Sequence, residues 1–307
     1  MPSPRSTFRS AAALVLALAA WGCPSRAWAQ ACCAGGSAVT PARLEMHEDA
    51  LVGAQLRASS ALGSYDTGGR FVASPPGDTE VDFEEDIFGA MRFLRRGQAA
   101  LLVPLVETRR RTPQDGAHLG GGLGDVNLSA RYDFVAAGES RYLPGVALLV
   151  GATLPTGTPA DSATAPLAVD ATGIGAWQLQ AGLALEQTYG RWLVNATGIV
   201  AKRTARFGET LGTQGTFLVA GAYSFEGGGA LALSGSYAFE GDATTGSGAD
   251  VPASSKRVTA VTVSGLWPLA DAWRVLGALS LDPPIDSLGS NQPTAGALSF
   301  TMIRSWW

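Results

Sequence analysis

The stretch GDVNLSARYDF, residues 124–134, alternates without a break: Val126, Leu128, Ala130, Tyr132 and Phe134 fall on one face of an extended chain, and Asp125, Asn127, Ser129, Arg131 and Asp133 on the other. A period of two marks a β-strand, because successive side chains leave the pleat on opposite sides. One face is wholly apolar and the other carries charges and an amide. The phase returns in WQLQAGLALEQ (177–187), where Trp177, Leu179, Ala181, Leu183 and Leu185 oppose Gln178, Gln180, Gly182, Ala184 and Glu186. It returns at Leu231, Leu233, Tyr237 and Phe239 against Ala232, Ser234, Ser236 and Glu240, and at Trp273, Val275, Leu279 and Leu281 against Arg274, Ala278, Ser280 and Asp282. Such strands belong either to a soluble sheet with a dry core or to a barrel whose apolar face meets lipid.

The connections separate the two. The pattern predicts twelve strands, near 50–59, 81–94, 98–109, 124–135, 145–154, 173–186, 191–203, 215–225, 229–240, 257–267, 272–282 and 295–307. Short links (RRGQ, AAGESRYLP, QTYGR, EGGG, PLADA) take turns with long ones rich in Gly, Pro and Thr, such as GSYDTGGRFVASPPGDTE, RTPQDGAHLGGGL, PTGTPADSATAPLAVDATG and GDATTGSGADVPASSK. Strict alternation of short and long suits an even-stranded antiparallel transmembrane β-barrel with both termini at the short-turn end. Phe93, Tyr132, Phe134, Tyr189, Trp192, Tyr223, Phe225, Trp267 and Trp273 all fall at that end, where a membrane interface would hold an aromatic girdle. The chain closes on SFTMIRSWW. Leu298, Phe300, Met302 and Trp306 share a phase that Arg304 interrupts, so the register of the last strand stays open by one residue.

Charged residues make up 16% of the chain, against about 25% in ordinary soluble domains, yet no segment after the first residues approaches the roughly 20 apolar residues of a membrane helix. The N-terminus reads as a secretory signal peptide over residues 1–29: Arg5 and Arg9, the apolar run AAALVLALAA, then Ala27-Trp28-Ala29 before Gln30. Three arginines and no acid leave with it, so the net charge of −4 becomes −7 over the remaining 278 residues. An acidic mature chain argues against nucleic acid as a partner. Residues 30–49 are expected to form a periplasmic leader before the barrel of residues 50–307. The leader carries the adjacent pair Cys32-Cys33, which is a strained vicinal disulfide, a soft-metal site with EMHED (45–49) nearby, or an idle pair. No cofactor and no built metal site is expected.

Three stretches, GGLGDVNLSARYDF (121–134), PGVALLVGATLPTGTP (144–159) and GIGAWQLQAGLALEQTYGRWLVNATG (173–198), together resemble the outer-membrane transporters grouped as the MetA-pathway of phenol degradation family. The shared motifs are a G-L-G-D entering a strand and a P-T-G leaving one. The resemblance implies an outer-membrane barrel that takes up small solutes, hydrophobic or aromatic ones among them. Outer-membrane barrels also commonly end on an aromatic residue that the barrel assembly machinery reads, which would make that machinery, with outer-membrane lipid and a small-molecule solute, the expected partners.

The face that would line a channel is then Asp125, Asn127, Ser129, Arg131, Asp133, Gln178, Gln180 and Glu186, with Arg109, Arg110 and Arg111 at the outer rim as an anion attractor, a solvated edge or a contact for lipopolysaccharide phosphate. A channel or transporter is the leading reading, and a structural or surface-interaction barrel is the alternative. A barrel hydrolase is the third. It needs a base beside a nucleophile, and the histidines offered are His47, before the barrel, and His118, in a glycine-rich stretch near Asp115 and Asp125. No catalytic residue is assigned. LGGGLGD is no phosphate loop, because no lysine follows and a strand, not a helix, comes next.

Overall fold

The computed structural model describes residues 42–140, 142–206 and 208–307. The expected signal peptide, the Cys32-Cys33 pair and the first part of the leader lie outside the described residues. The strands that close the barrel are β1 (Ala50–Tyr65), β2 (Thr79–Leu94), β3 (Gly97–Thr112), β4 (Val126–Val135), β5 (Gly145–Leu154), β6 (Gln178–Tyr189), β7 (Trp192–Arg203), β8 (Gln214–Ser224), β9 (Ala230–Glu240), β10 (Lys256–Ala270), β11 (Trp273–Leu281) and β12 (Pro293–Trp306). Each pairs antiparallel with its sequence neighbour, and β12 returns to β1 with Ala50 opposite Trp306 and Ser64 opposite Pro293. The fold is a closed, all-β, twelve-strand barrel. Closure leaves no row of unpaired backbone groups, the condition for a sheet to sit in hydrocarbon.

The long connections lie at one end, called outer here, and the short turns at the inner end. Gly190 takes φ 61° in the two-residue turn between β6 and β7, a left-handed conformation glycine adopts without steric cost. One expected loop is not a loop. RTPQDGAHLGGGL turns only at 113–115, and Gly116–Leu123 then pairs with β3 from Thr112↔Gly116 to Leu105↔Leu123. Its glycines suggested a coil, but with the partner strand beside them the ladder needs no side chain. The extension is separated from β4 by a break at Gly124-Asp125, opposite Pro104 of β3. Proline has no N–H to give the ladder. The break therefore falls where the pairing already lacks a donor, and Gly124 instead donates its N–H to the Pro104 carbonyl at 2.8 Å.

The large exposed side chains repeat the predicted phase: Leu128, Tyr132 and Phe134 on β4, Leu179, Leu183 and Leu185 on β6, Leu231 and Leu233 on β9, and Leu279 and Leu281 on β11. They face away from the barrel. Glu85 of β2 interrupts this outward face between Phe83 and Ile87. At the inner end aromatic rings meet in two groups, Trp192 and Tyr223 with centroids 5.0 Å apart and Tyr223 and Phe225 5.4 Å in one, Tyr132 and Phe134 5.2 Å apart in the other. On β12, Leu298, Phe300, Met302, Arg304 and Trp306 are exposed while Ile303 and Ser305 are buried, which resolves the register in favour of the even-numbered phase. Arg304 is held at this interface with its guanidinium 5.0 Å from the Trp306 ring and 5.6 Å from that of Trp273.

Among the described residues, buried apolar side chains gather in three clusters. One joins Leu193, Ala222, Ala230, Ala232, Leu266 and Leu276 at the inner end; a second joins Leu51, Phe88, Ala90 and Ile303 to Ala42 and Leu44, which precede β1; a third joins Ala147, Leu149 and Ala184. Phe88 reaches its place because Gly53 faces it: a Cβ there would stand 2.5 Å from the ring.

Candidate functional site

The leader was expected to sit in the periplasm. Its described part, residues 42–49, lies in the inner mouth and is anchored to strands around it. Asp49 donates its N–H to the Trp306 carbonyl at 2.8 Å. Glu48 is ion-paired to Arg274 of β11, and Arg92 of β2 donates to the carbonyls of Glu48 (2.9 Å) and Glu45 (2.5 Å). Leu44 gives its N–H to Gln98 of β3 at 3.1 Å, and Arg43 makes a two-pronged contact with Glu186 of β6 at 2.6 and 2.5 Å. These contacts span from the β11 side to β6, so the segment crosses the mouth. EMHED is accounted for by them: its glutamates answer arginines and its own backbone, the exposed His47 has its Nε2 3.5 Å from Glu45 Oε2, and among the described residues no three metal-ligating side chains converge.

Glu186 is the hub. Besides Arg43 it accepts from both Arg131 nitrogens at 3.2 and 3.1 Å and from Asn195 at 2.9 Å, while Arg131 also bridges to Asp133 at 2.9 and 2.7 Å. An ionised carboxylate with a side chain 1% exposed is tolerable only when so supplied. The small Ala147 of β5 lies opposite both Asp133 and Ala184, which lets side chains of β4 and β6 meet across it. At the leader's other end burial pushes the Glu48 carboxyl up, but the Arg274 guanidinium and the Glu45 amide outweigh it and hold it below its ordinary range.

Of the residues predicted to line the interior, Arg131, Asp133 and Glu186 thus form one network. Ser129, Arg131 and Gln180 line a cavity beside Ala42 and Gln98. Asn127 donates to Thr153 at 3.0 Å on the same wall. Gln178 belongs to a second knot at the outer end, where Arg203 donates to Gln178 (2.8 Å), Gln214 (2.8 Å) and Glu240 (2.6 Å). Asp125 is placed differently from expectation. It stands in the break before β4 and accepts the backbone N–H groups of Gly157 at 2.9 Å and Ile174 at 2.6 Å, while Thr156 donates to the Gly124 carbonyl at 2.6 Å. The G-L-G-D and P-T-G motifs therefore clasp one another and hold the base of the loop between β5 and β6. Glycine is required in the clasp, since a Cβ on Gly173 would lie 2.4 Å from the Asp125 carboxylate.

The three rim arginines part company. Arg110 faces inward, pairs with Glu80 at 2.8 Å and donates to the carbonyls of Leu167 (2.8 Å) and Ala168 (3.1 Å), drawing that loop over the outer opening, where Val169 buries against Gly120. Arg109 and Arg111 lie on the exposed outward phase. His118 is in the paired extension, bonded to the Asp115 carbonyl at 2.9 Å.

The residues not singled out from the sequence are on β2. Glu80, Asp82, Glu84 and Asp86 occupy four successive inward positions, above Phe88. Acid at every second place in TEVDFEEDIF was the available signal. Glu80 pairs with Arg110 and Glu84 with Arg57 at 3.2 Å. Asp82 and Asp86 each bury a carboxylate oxygen that has no hydrogen-bond partner.

No family model matches the chain, and no curated protein matches it in sequence. Among solved structures it is similar to an outer-membrane channel from Pseudomonas putida F1, with a TM-score of 0.70 and 16% identity over 86% of this chain and 97% of that one. It is more distantly similar to the translocator domain of the autotransporter NalP from Neisseria meningitidis, with a TM-score of 0.49 and 10% identity over 98% of each chain. The first likeness establishes the fold as that of an outer-membrane β-barrel.

Proposed function

We propose that the chain is an outer-membrane channel for passive entry of small solutes, closed in its resting form by the leader at the inner mouth. The observation that carries this reading is the division of the barrel wall: a lipid-suited apolar exterior encloses an interior of small and charged side chains, among which Arg57 and Glu84 stay 44% and 32% exposed. Exposure on the inward face of a closed sheet means open space in the lumen. The reading assigns residues 1–29 to export, residues 30–49 to the leader and residues 50–307 to the barrel. It places the protein in the outer membrane, with the terminal strand presented to the assembly machinery. From the sequence resemblance to the phenol-degradation transporters come hydrophobic or aromatic solutes as a candidate class.

The test is conductance in planar bilayers of the refolded mature chain and of a variant lacking residues 30–48. The intact chain should show small or rare openings, and the truncated chain a larger, sustained conductance. Silence from a truncated barrel that still shows heat-modifiable folding would reject the channel.

A further inference from the structure

Charge is balanced almost everywhere on the inward face. Glu80 has Arg110, Glu84 has Arg57, Asp133 has Arg131, Glu186 has Arg43 and Arg131, and Glu240 has Arg203. Among the described residues Asp82, Asp86 and Asp282 have no ion-pair partner; Asp282 accepts the Ala295 N–H at 3.1 Å, whereas the two aspartates of β2 have no such bond. Asp86 is 6% exposed, faces Gln55 of β1 on one side and Pro104 of β3 on the other, and its Oδ1 has no hydrogen-bond partner; Oδ1 of Asp82 is in the same state. The charges acting on Asp86 are those of Glu84, which repels it, and Arg57, already paired to Glu84. Two carboxylates without a counterion in a low-dielectric wall call for a cation.

We propose that the inward face of β2 is a rail for a linear organic polycation, with Asp86 and Asp82 as its docking carboxylates; the proposal rests on reading the lumen as a solute path. The form of the rail selects the ligand class. Same-face residues of one strand are spaced about 6.6 Å apart, so the four carboxylates form a line and cannot close on one metal ion at 2.0–2.6 Å. Among the described residues no metal-ligating group of three converges. A line of charges fits ammonium groups strung along an alkyl chain. The lumen is open at Arg57 and Glu84 and is floored below Asp86 by Phe88, so a polyamine entering from the outer end would stop with its leading ammonium at Asp86. Arg57 is the cation it displaces.

Isothermal titration of spermidine into the refolded full chain in detergent tests this without requiring conduction. Wild type should bind. Asp86→Asn should weaken binding at least tenfold, Asp82→Asn by less, and Arg57→Gln should strengthen it by removing the competing cation, while Glu226→Gln at an inner turn leaves it unchanged. All variants must keep heat-modifiable folding; asparagine matches aspartate in shape and removes an unpaired charge, so Asp86→Asn should melt no lower than wild type. No spermidine binding, binding indifferent to Asp86, or calcium binding as tightly as spermidine would each overturn the rail. Binding that behaves as expected in a barrel that never conducts would reject the channel and leave the rail standing.

Discussion

Single residues hold the leader in the inner mouth, and Glu186 shows how. With Arg43, Arg131 and Asn195 all donating to it, removing one cation leaves a buried carboxylate partly uncompensated. Breaking a buried pair costs about 3–5 kcal/mol, and since Arg43 remains, Arg131→Ala should fall at the lower end of that range. Heat modifiability should show the drop in melting temperature, and an unchanged melt would mean that Arg131 carries no part of the seal. Half of this site was legible. The alternation of β4 and β6 put Arg131, Asp133 and Glu186 on one face, but Arg43 acts on Glu186 from 143 residues away, and no periodicity connects them. Glu48 adds a pH dependence. Its carboxyl is held below the ordinary 4.5 by Arg274 and the Glu45 amide against the effect of burial. A lowered folded value stabilises the seal above the unfolded value and loses that contribution as pH falls through the folded one. The protection factors of the amides of residues 43–48, corrected for the intrinsic exchange rate, should therefore be high at neutral pH and fall in acid once Glu48 is protonated. Arg274→Ala should expose them already at pH 7, and flat protection across this range would remove Glu48 from the seal.

At the scale of the strand, phase decides what a substitution does. Arginine facing lipid at mid-depth costs about 2–4 kcal/mol, whereas an inward position beside open space tolerates it. Leu128→Arg should thus reduce the yield of folded barrel sharply, and Ser129→Arg, one residue on and beside the cavity, should not. Equal yields from the two would contradict the assigned faces. Gly182 shares the inward face but cannot serve as a control, because a Cβ there would lie 2.4 Å from the Gly198 carbonyl. All twelve strands were legible because a sheet with lipid on one side and polar groups on the other must alternate. The extension Gly116–Leu123 was not, since glycines carry no face to read and the pairing comes from β3. The clasp was half visible: its motifs stood out, but the Gly157 N–H that donates to Asp125 comes from 32 residues away, a pairing that only a closed β4–β5 hairpin brings about. Asp125→Ala should loosen the loop between β5 and β6, read as new protease cleavage within residues 155–173 in an otherwise folded barrel.

For the whole molecule the decisive event is closure, because an unclosed barrel exposes two edges that lipid cannot satisfy. The seam runs along fourteen residue pairs of β1 and β12 and ends at Ala50↔Trp306, where Asp49 also bonds to the Trp306 carbonyl. Trp306 contributes more than its backbone. Its ring lies on the outward face with the Arg304 guanidinium near it and near the Trp273 ring as well, a contact worth about 0.5–1 kcal/mol at an exposed site and suited to the boundary between headgroups and hydrocarbon. Trp307 lies past the last pair and is 62% exposed. The two tryptophans should therefore separate in experiment. Trp307→Ala should barely change thermal stability. Deleting both removes the final seam residue, the ring that anchors Arg304 and the aromatic end expected to be read by the assembly machinery. Refolded into lipid vesicles without that machinery, the truncated chain should still close at reduced yield, because thirteen seam pairs remain. In cells it should be degraded or accumulate as periplasmic aggregate. Failure in both settings would make the terminus a structural element alone, and normal outer-membrane yield in cells would show that neither the seam end nor a terminal signal depends on Trp306.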